Sequence, residues 1–183
     1  EEVEAGQKLV TMHPTSTDAD YDSLKKRAGY FKLDIERLEA ELNGTGFIPE
    51  ASEDLEPSDL SAERSLYQSR VSQYRSEMDA AAMEISQKQA ALAVEQDNLT
   101  KYDGMLAIAQ EKESRLQQLV QENAIAEFQL LEQTSQRINI EKTADAQRSA
   151  IAKAQSELSE AQAKQANVAA VYPKDIMSNL VES

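Results

Sequence analysis

The sequence predicts a mainly α protein: a long antiparallel coiled-coil α-hairpin, an extra shorter helix, and a small partial β segment at the N-terminus. Gly and Pro are scarce, 5 and 4 of 183 residues, so long stretches contain no helix breaker. Apolar residues recur at alternating spacings of three and four, which is the seam of a coiled coil. One short polar break separates two such stretches, which predicts that the chain doubles back.

The composition excludes several classes of function. The net charge is −14, and because nucleic-acid affinity comes mostly from Lys and Arg, we expect no nucleic acid partner. Contact with anionic lipid is disfavoured for the same reason. The chain has no cysteine, which excludes disulfides and thiolate metal sites. With 5 % aromatic residues and a mean hydropathy of −0.60, a large compact core is not expected.

The N-terminal segment, residues 1–14, is the exception to the helical pattern. Residues 3–12 (VEAGQKLVTM) predict two short strands about Gly6, which permits a tight turn, and Pro14 ends the pairing. Two such strands are not stable alone. They therefore need partner strands from elsewhere.

The first helix is predicted over residues 15–43. Ser16 or Thr17 caps its start, and Asn43-Gly44 ends it. Its length is too short to match the hairpin arms, so we expect it to pack beside them as a third member of a local bundle, in a direction that the sequence leaves open. Its apolar positions form a heptad seam: Leu24, Ala28, Phe31, Ile35, Leu38 and Leu42.

An acidic connector rich in Pro and Gly, residues 44–60, precedes the long hairpin helix, predicted over 61–122 with Ser58 or Ser61 at its start. About 60 helical residues extend roughly 90 Å, and a helix of that length is stable only where another helix covers its apolar stripe. Its seam positions are Val71, Tyr74, Met78, Ala81, Ile85, Lys88, Leu92, Glu95, Leu99, Tyr102, Leu106, Ala109, Glu113, Leu116 and Val120.

Three members of that seam are charged: Lys88, Glu95 and Glu113. They could mark hinges or pairs that set the register of the two helices, and Glu95 could also be a solvated position where the seam opens. The sequence does not decide between these alternatives.

The hairpin tip is predicted at residues 123–126, with Asn123 as the candidate for a left-handed backbone. The return helix is predicted over 127–183, with an interruption near Pro173. Its apolar and alanine positions predict close packing against the first arm: Ile138, Ile140, Ala144, Ile151, Ala154, Leu158, Ala161, Val168 and Tyr172.

Two stretches resemble one family. The opening VEAGQKLVTMHPTSTDADYDSLKKR and the turn SRLQQLVQENAIAEFQLLEQ are similar to the HlyD-type membrane fusion proteins, the periplasmic adaptors of type I secretion systems. The resemblance implies that residues 1–14 are the first half of a lipoyl-like β domain. The second half would follow the hairpin.

The resemblance also implies a partner-binding tip. The family pattern is an Arg, a Leu four residues on, and a small hydroxyl residue seven further. Arg115 and Leu119 fit it, whereas Ala126 stands at the third position. The candidate tip residues are Arg115, Leu119, Asn123, Ala124, Ile125 and Ala126.

Partners and location follow from the same resemblance. It implies a TolC-type outer-membrane channel, an inner-membrane ABC transporter and self-association as a hexamer. It also implies a periplasmic location, with an inner-membrane anchor in a segment missing from this sequence. The absence of cysteine is compatible with that compartment.

Catalytic, metal and cofactor sites are not expected. Asp18, Asp20 and Asp22 have the spacing that opens a calcium loop, but Ser23 and Gly29 stand where an EF-hand needs Gly and Glu. These acids fit the first turns of a helix better.

His13 is the only histidine, which excludes a His-rich metal site, a Ser-His-Asp triad and a di-iron bundle site. The sequence therefore predicts a protein that is not an enzyme. The alternative to an adaptor is a coiled-coil scaffold or tether without a transport role. The N-terminal strand-turn-strand pattern discriminates, because a pure scaffold has no use for it.

Overall fold

A computed structural model describes residues 15–50 and 55–182, with side chains from residue 20 onwards. It contains three helices: α1 (Thr15–Asn43), α2 (Pro57–Gln121) and α3 (Glu127–Glu182). The predicted mainly α fold with a long hairpin is confirmed. The predicted β segment, residues 1–14, lies outside the described residues. The chain divides into two compact units, one comprising the residues up to Arg75 and from Ala170 onwards, the other Ser76–Ala169.

Helix α2 begins at Pro57, earlier than the predicted start at residue 61. The Glu56 N–H donates to the Asp59 carboxylate at 3.0 Å, which caps the helix from its third residue. Proline is favoured at the first helical position because its fixed φ suits a helix and its missing N–H would have no partner there. The start was assigned too late because Pro57 was read as part of the connector.

In the first unit, α1 packs beside the beginning of α2 and the end of α3, as a local three-helix bundle. Arg37 contacts Glu63, and Glu41 contacts Arg70, so α1 and this part of α2 run parallel. Phe47, which follows α1, is buried, and its ring lies 5.7 Å from that of Tyr67.

The buried face of α1 differs from the predicted heptad seam. Leu38 is buried as expected, but Leu24 and Phe31 are exposed, and Leu33 and Ala40 are buried instead. Leu33 and Ala40 form one cluster with Phe47, against which three further side chains pack: Leu55, Leu60 and Tyr67. The predicted seam was wrong for Leu24 and Phe31, because a heptad seam describes contact with one helix, whereas the C-terminal half of α1 packs against several elements.

A charged network joins α1 to α2 inside this unit. Arg37 and Glu41 are buried, 6 % and 5 % exposed. Arg37 donates to Glu41 and to Glu63, both at 2.6 Å, and also to Asp34. Arg70 donates to the second oxygen of Glu41 at 2.8 Å. Burial lowers the pKa of Arg37, but the hydrogen bonds to carboxylates outweigh it and raise the pKa above its ordinary value.

Tyr172 adds α3 to this network. Its hydroxyl donates to Glu41 at 3.2 Å, and its ring stacks on Tyr74 with centroids 4.2 Å apart. Burial and the adjacent Glu41 carboxylate raise the pKa of Tyr172 to about 12. These contacts hold α3 in place at the point where the sequence predicted an interruption.

That interruption does not occur, since α3 continues through Pro173 to Glu182. Pro173 removes one helical hydrogen bond. The ring of Tyr172, just before the proline, is stacked on Tyr74, and Ile176, after it, is fully buried. These contacts hold the helix on both sides of the missing hydrogen bond.

In the second unit, α2 and α3 run antiparallel along a narrow seam. Glu84 of α2 pairs with Lys164 of α3, and the carbonyl of Ala109 accepts from Gln133. Residue numbers therefore decrease along α3 as the numbers of their partners increase along α2. All fifteen predicted seam positions of α2 are buried or half-buried. The most buried apolar residues of this unit are alanines, whose size lets the helices approach closely: Ala81, Ala109, Ala144 and Ala161.

The charged seam residues of α2 have polar partners on α3. Lys88 lies 2.7 Å from Glu157, and the backbone carbonyl of Glu95 accepts from Gln147 at 3.0 Å. The pKa of the Glu157 carboxyl is lowered, chiefly by its hydrogen bond with Lys88. The helix is continuous through these positions, so they are not hinges. A shift of register would separate these partners, which supports the register-setting interpretation.

Glu113 makes the third such contact, 2.6 Å from Arg137. Arg137 therefore occupies the α3 seam at this level, and Ile138, predicted there, lies on the exposed flank. The spacing of α3 allowed either residue. The charge of Glu113 on the opposing helix decides in favour of Arg137.

We expect Glu41→Gln to destabilise the first unit by about 3 kcal/mol, because the guanidinium groups of Arg37 and Arg70 would lose the buried carboxylate with which they pair. Urea unfolding followed by circular dichroism measures the change. Glu39→Gln, an exposed change on the same helix, is the matched control and should alter stability by about 0.5 kcal/mol or less. Equal effects of the two variants would contradict the role given to Glu41.

We expect Lys88→Glu to destabilise the hairpin and Glu157→Lys in the same chain to restore part of the loss. The two side chains are partly exposed, 33 % and 39 %, so solvent screening keeps the coupling free energy of the double-mutant cycle small, but it should differ measurably from zero. The control cycle pairs Glu157→Lys with Lys142→Glu, an exposed residue elsewhere on α3, and should be additive. An equally additive Lys88 cycle would show that this contact does not set the register.

Candidate partner-binding tip

The turn between α2 and α3 is closed by Asn123, whose φ is 56°. Its N–H donates to the Val120 carbonyl at 3.0 Å, and the Ala124 N–H donates to the Leu119 carbonyl at 2.9 Å. These two bonds form a Schellman motif, which satisfies the last carbonyls of α2. Asn tolerates the left-handed backbone better than other non-Gly residues, and the prediction of its conformation is confirmed.

Helix α3 begins at Glu127, so Ala126 is its N-cap. The Gln129 N–H donates to the Ala126 carbonyl at 3.1 Å. The methyl side chain offers no oxygen to the other free N–H groups of the first turn. A small hydroxyl residue, which the resemblance implies for this position, would supply that oxygen.

The predicted tip residues all lie in the last turns of α2 or in the turn itself. Ile125 is half-buried, and the other five are exposed. Arg115 pairs with Glu111 of its own helix at 2.5 Å, and both side chains are mostly exposed. An ion pair of this kind contributes little to stability, so the guanidinium can exchange Glu111 for a carboxylate of a partner.

Two large apolar residues beside the tip were not among the predicted site residues. Phe128 and Leu131, in the first turns of α3, are 72 % and 65 % exposed. The sequence alone gave no signal for them, because they fall outside the seam only once Gln133 and Arg137 are known to occupy it. They enlarge the apolar surface at this end of the hairpin.

No group of three or more His, Asp or Glu side chains in residues 15–50 and 55–182 is arranged to hold a metal ion. No helix of that part combines the length and apolar character needed to cross a bilayer. His13 lies outside it.

We expect Ala126→Ser to stabilise the protein by about 1 kcal/mol, because the hydroxyl would accept a hydrogen bond from a free N–H at the start of α3. Thermal unfolding followed by circular dichroism measures the gain. Ala124→Ser adds the same hydroxyl within the turn, away from the N-cap, and is the matched control. A gain in the control but not at position 126 would argue against Ala126 as the N-cap.

Comparison with known proteins identifies the fold. The chain superposes on the crystal structure of the soluble domain of LipC, a membrane fusion protein of a type I secretion system, with a TM-score of 0.84 and 20 % identity over 97 % of this chain and 86 % of that chain. No curated protein sequence matches. Neither LipC nor the matching family is described as an enzyme, in agreement with the sequence expectation. Residues 17–183 match the family described as AprE, long alpha-helical hairpin, and the chain therefore belongs to the AprE long α-helical hairpin family.

Proposed function

We propose that this chain is part of a periplasmic adaptor of type I protein secretion. It bridges an inner-membrane ABC transporter and a TolC-type outer-membrane channel, and its hairpin tip docks on the channel. Anchorage in the inner membrane and assembly with further copies, six in number, belong to the same proposal. The AprE family match and the common fold with a membrane fusion protein support it.

The observation that carries the docking role is the combination of a fixed turn and exposed side chains. The Schellman bonds at Asn123 hold the backbone of the turn. Arg115 and Leu119 lie four residues apart on α2 and are exposed, so they form one contiguous contact surface. A rigid surface loses little conformational entropy on binding. Arg with an apolar neighbour is a common anchor of protein interfaces.

The partner surface should resemble the end of another helical hairpin. The small side chains of Ala124 and Ala126 let a facing helix approach the turn closely, and Leu119 can insert between its residues as a coiled-coil knob does. An acidic group of the channel would form an ion pair with Arg115 in place of Glu111.

Site-specific cross-linking in cells tests this role. The chain has no cysteine, so Leu119→Cys and Ala126→Cys each introduce a single thiol at the tip. We expect both variants to form cross-links with the outer-membrane channel through a short bifunctional reagent. Arg115→Glu in the same background should reduce the yield, because it removes the charged contact.

Ala90→Cys is the matched control. It is exposed on α2 and lies 29 residues, about 40 Å of helix, from Leu119. It should give no channel cross-link. Equal cross-link yields at all three positions, or no cross-link from the two tip positions, would favour a coiled-coil scaffold or tether without a transport role.

A further inference from the structure

The end of α1 brings together the two groups that react when an asparagine deamidates. Asn43 is the last residue of the helix and Gly44 follows it. No other asparagine in the sequence precedes a glycine. In deamidation the backbone nitrogen of the following residue attacks the side-chain amide carbon of the asparagine. A Cβ on the following residue hinders this attack, so glycine is the most permissive neighbour.

The space around Gly44 leaves this attack unobstructed. The side chain of Asn43 is exposed. Among the described residues, and apart from its chain neighbours, no heavy atom lies within 4 Å of the position that a Cβ on Gly44 would occupy. The φ of Gly44 is 65°, in the left-handed region, and glycine changes between this region and others at little cost. The two residues can therefore rotate into the arrangement that ring closure needs.

The attacking nitrogen is held only weakly by the fold. The Gly44 N–H donates to the Glu41 carbonyl at 3.4 Å, which is longer than the usual range of about 2.7–3.2 Å for such a bond. The next N–H, that of Thr45, donates to the Ala40 carbonyl at 3.0 Å and supplies the firmer bond of this helix end. Attack by the Gly44 nitrogen therefore costs the backbone one long hydrogen bond.

Asn123, in the turn of the hairpin, lacks both of these features although it is also exposed. The residue that follows it is Ala124, whose methyl group shields the backbone nitrogen. The Ala124 N–H also donates to the Leu119 carbonyl at 2.9 Å, a bond of ordinary length. The remaining asparagines lie inside the continuous helices α2 and α3, where helical hydrogen bonds hold the following N–H: Asn98, Asn139, Asn167 and Asn179.

We propose that Asn43 is a modification site, at which the chain deamidates without an enzyme. The Gly44 nitrogen forms a bond to Cγ of Asn43 and loses its proton. The bond from Cγ to Nδ2 breaks, and the amide nitrogen leaves with that proton as ammonia. Water then opens the resulting succinimide ring at either of its carbonyl groups, which gives an aspartate or an isoaspartate at position 43. This inference does not rest on the proposed function.

The products alter the contacts that join α1 to α2. Either product places a carboxylate at the C-terminal end of α1, where the helix macrodipole disfavours negative charge. In isoaspartate the main chain also gains a methylene group just before Thr45, whose carbonyl accepts from the Tyr67 hydroxyl at 2.6 Å. Further along, the buried Phe47 packs with Leu33 and Ala40. The lengthened backbone displaces these contacts, so isoaspartate loosens the first unit more than aspartate does.

Incubation of the folded full-length chain in buffers of increasing pH, followed by peptide mapping with mass spectrometry, tests the proposal. The peptide that contains Asn43 should gain the mass that corresponds to replacement of NH₂ by OH. The rate should rise with pH, because the deprotonated backbone nitrogen is the reactive form. Asn123 is the matched control in the same chain, and we expect Asn43 to react at least about tenfold faster.

Two variants separate the reaction from its consequence for the fold. Asn43→Gln keeps the side-chain amide but requires a larger ring for the same attack, so it should abolish the mass gain at this position. Asn43→Asp carries the charge of the products on a backbone of normal length. We expect the isoaspartate form of the incubated protein, isolated by chromatography, to unfold at a lower urea concentration than Asn43→Asp.

Two results would overturn the modification site. One is a rate at Asn43 no greater than that at Asn123. The other is a reaction that occurs only when guanidinium chloride unfolds the chain, since the folded end of α1 would then block the attack. Unfolding of the isoaspartate form at the same urea concentration as Asn43→Asp would contradict the structural consequence drawn from the contacts of Thr45 and Phe47.

Discussion

The constraint on which this structure depends is that the apolar stripe of a 65-residue helix has to be covered by another helix. In the second unit α3 provides that cover after a single turn at Asn123. Alanines at the most buried levels bring the helices close, and polar pairs such as Lys88–Glu157 interrupt the apolar contact at defined heights. The alanines allow the helices to approach closely, and the polar pairs favour the observed register, because a shift of register would separate the paired groups.

The first unit is packed differently from the second. Three helices meet there, and a heptad seam that serves one partner cannot serve two. Glu41 takes the central place instead, since its two oxygens accept hydrogen bonds from α1, α2 and α3 together. A carboxylate without those donors would be too costly to bury. The same contacts explain why α3 continues past Pro173, where the local sequence alone favours a break.

The surfaces available for contact with other molecules are formed by the residues of α2 and α3 that lie outside the seam. A two-helix pair buries a narrow stripe on each helix, so every other position faces outward. Most of these positions are polar here, which makes Ile108, Phe128 and Leu131 stand out. Large apolar side chains that cluster on a protein surface usually mark an interaction site.

The sequence by itself determined the hairpin, the seam of α2 and the left-handed turn at Asn123, because spacing and backbone preference are local properties. It did not determine the buried face of α1 or the choice of Arg137 over Ile138 in the α3 seam. Those depend on which side chains lie opposite, and only the tertiary structure brings them there. The exposure of Phe128 belongs to the same class, since a large apolar residue is buried or free according to whether another helix reaches it.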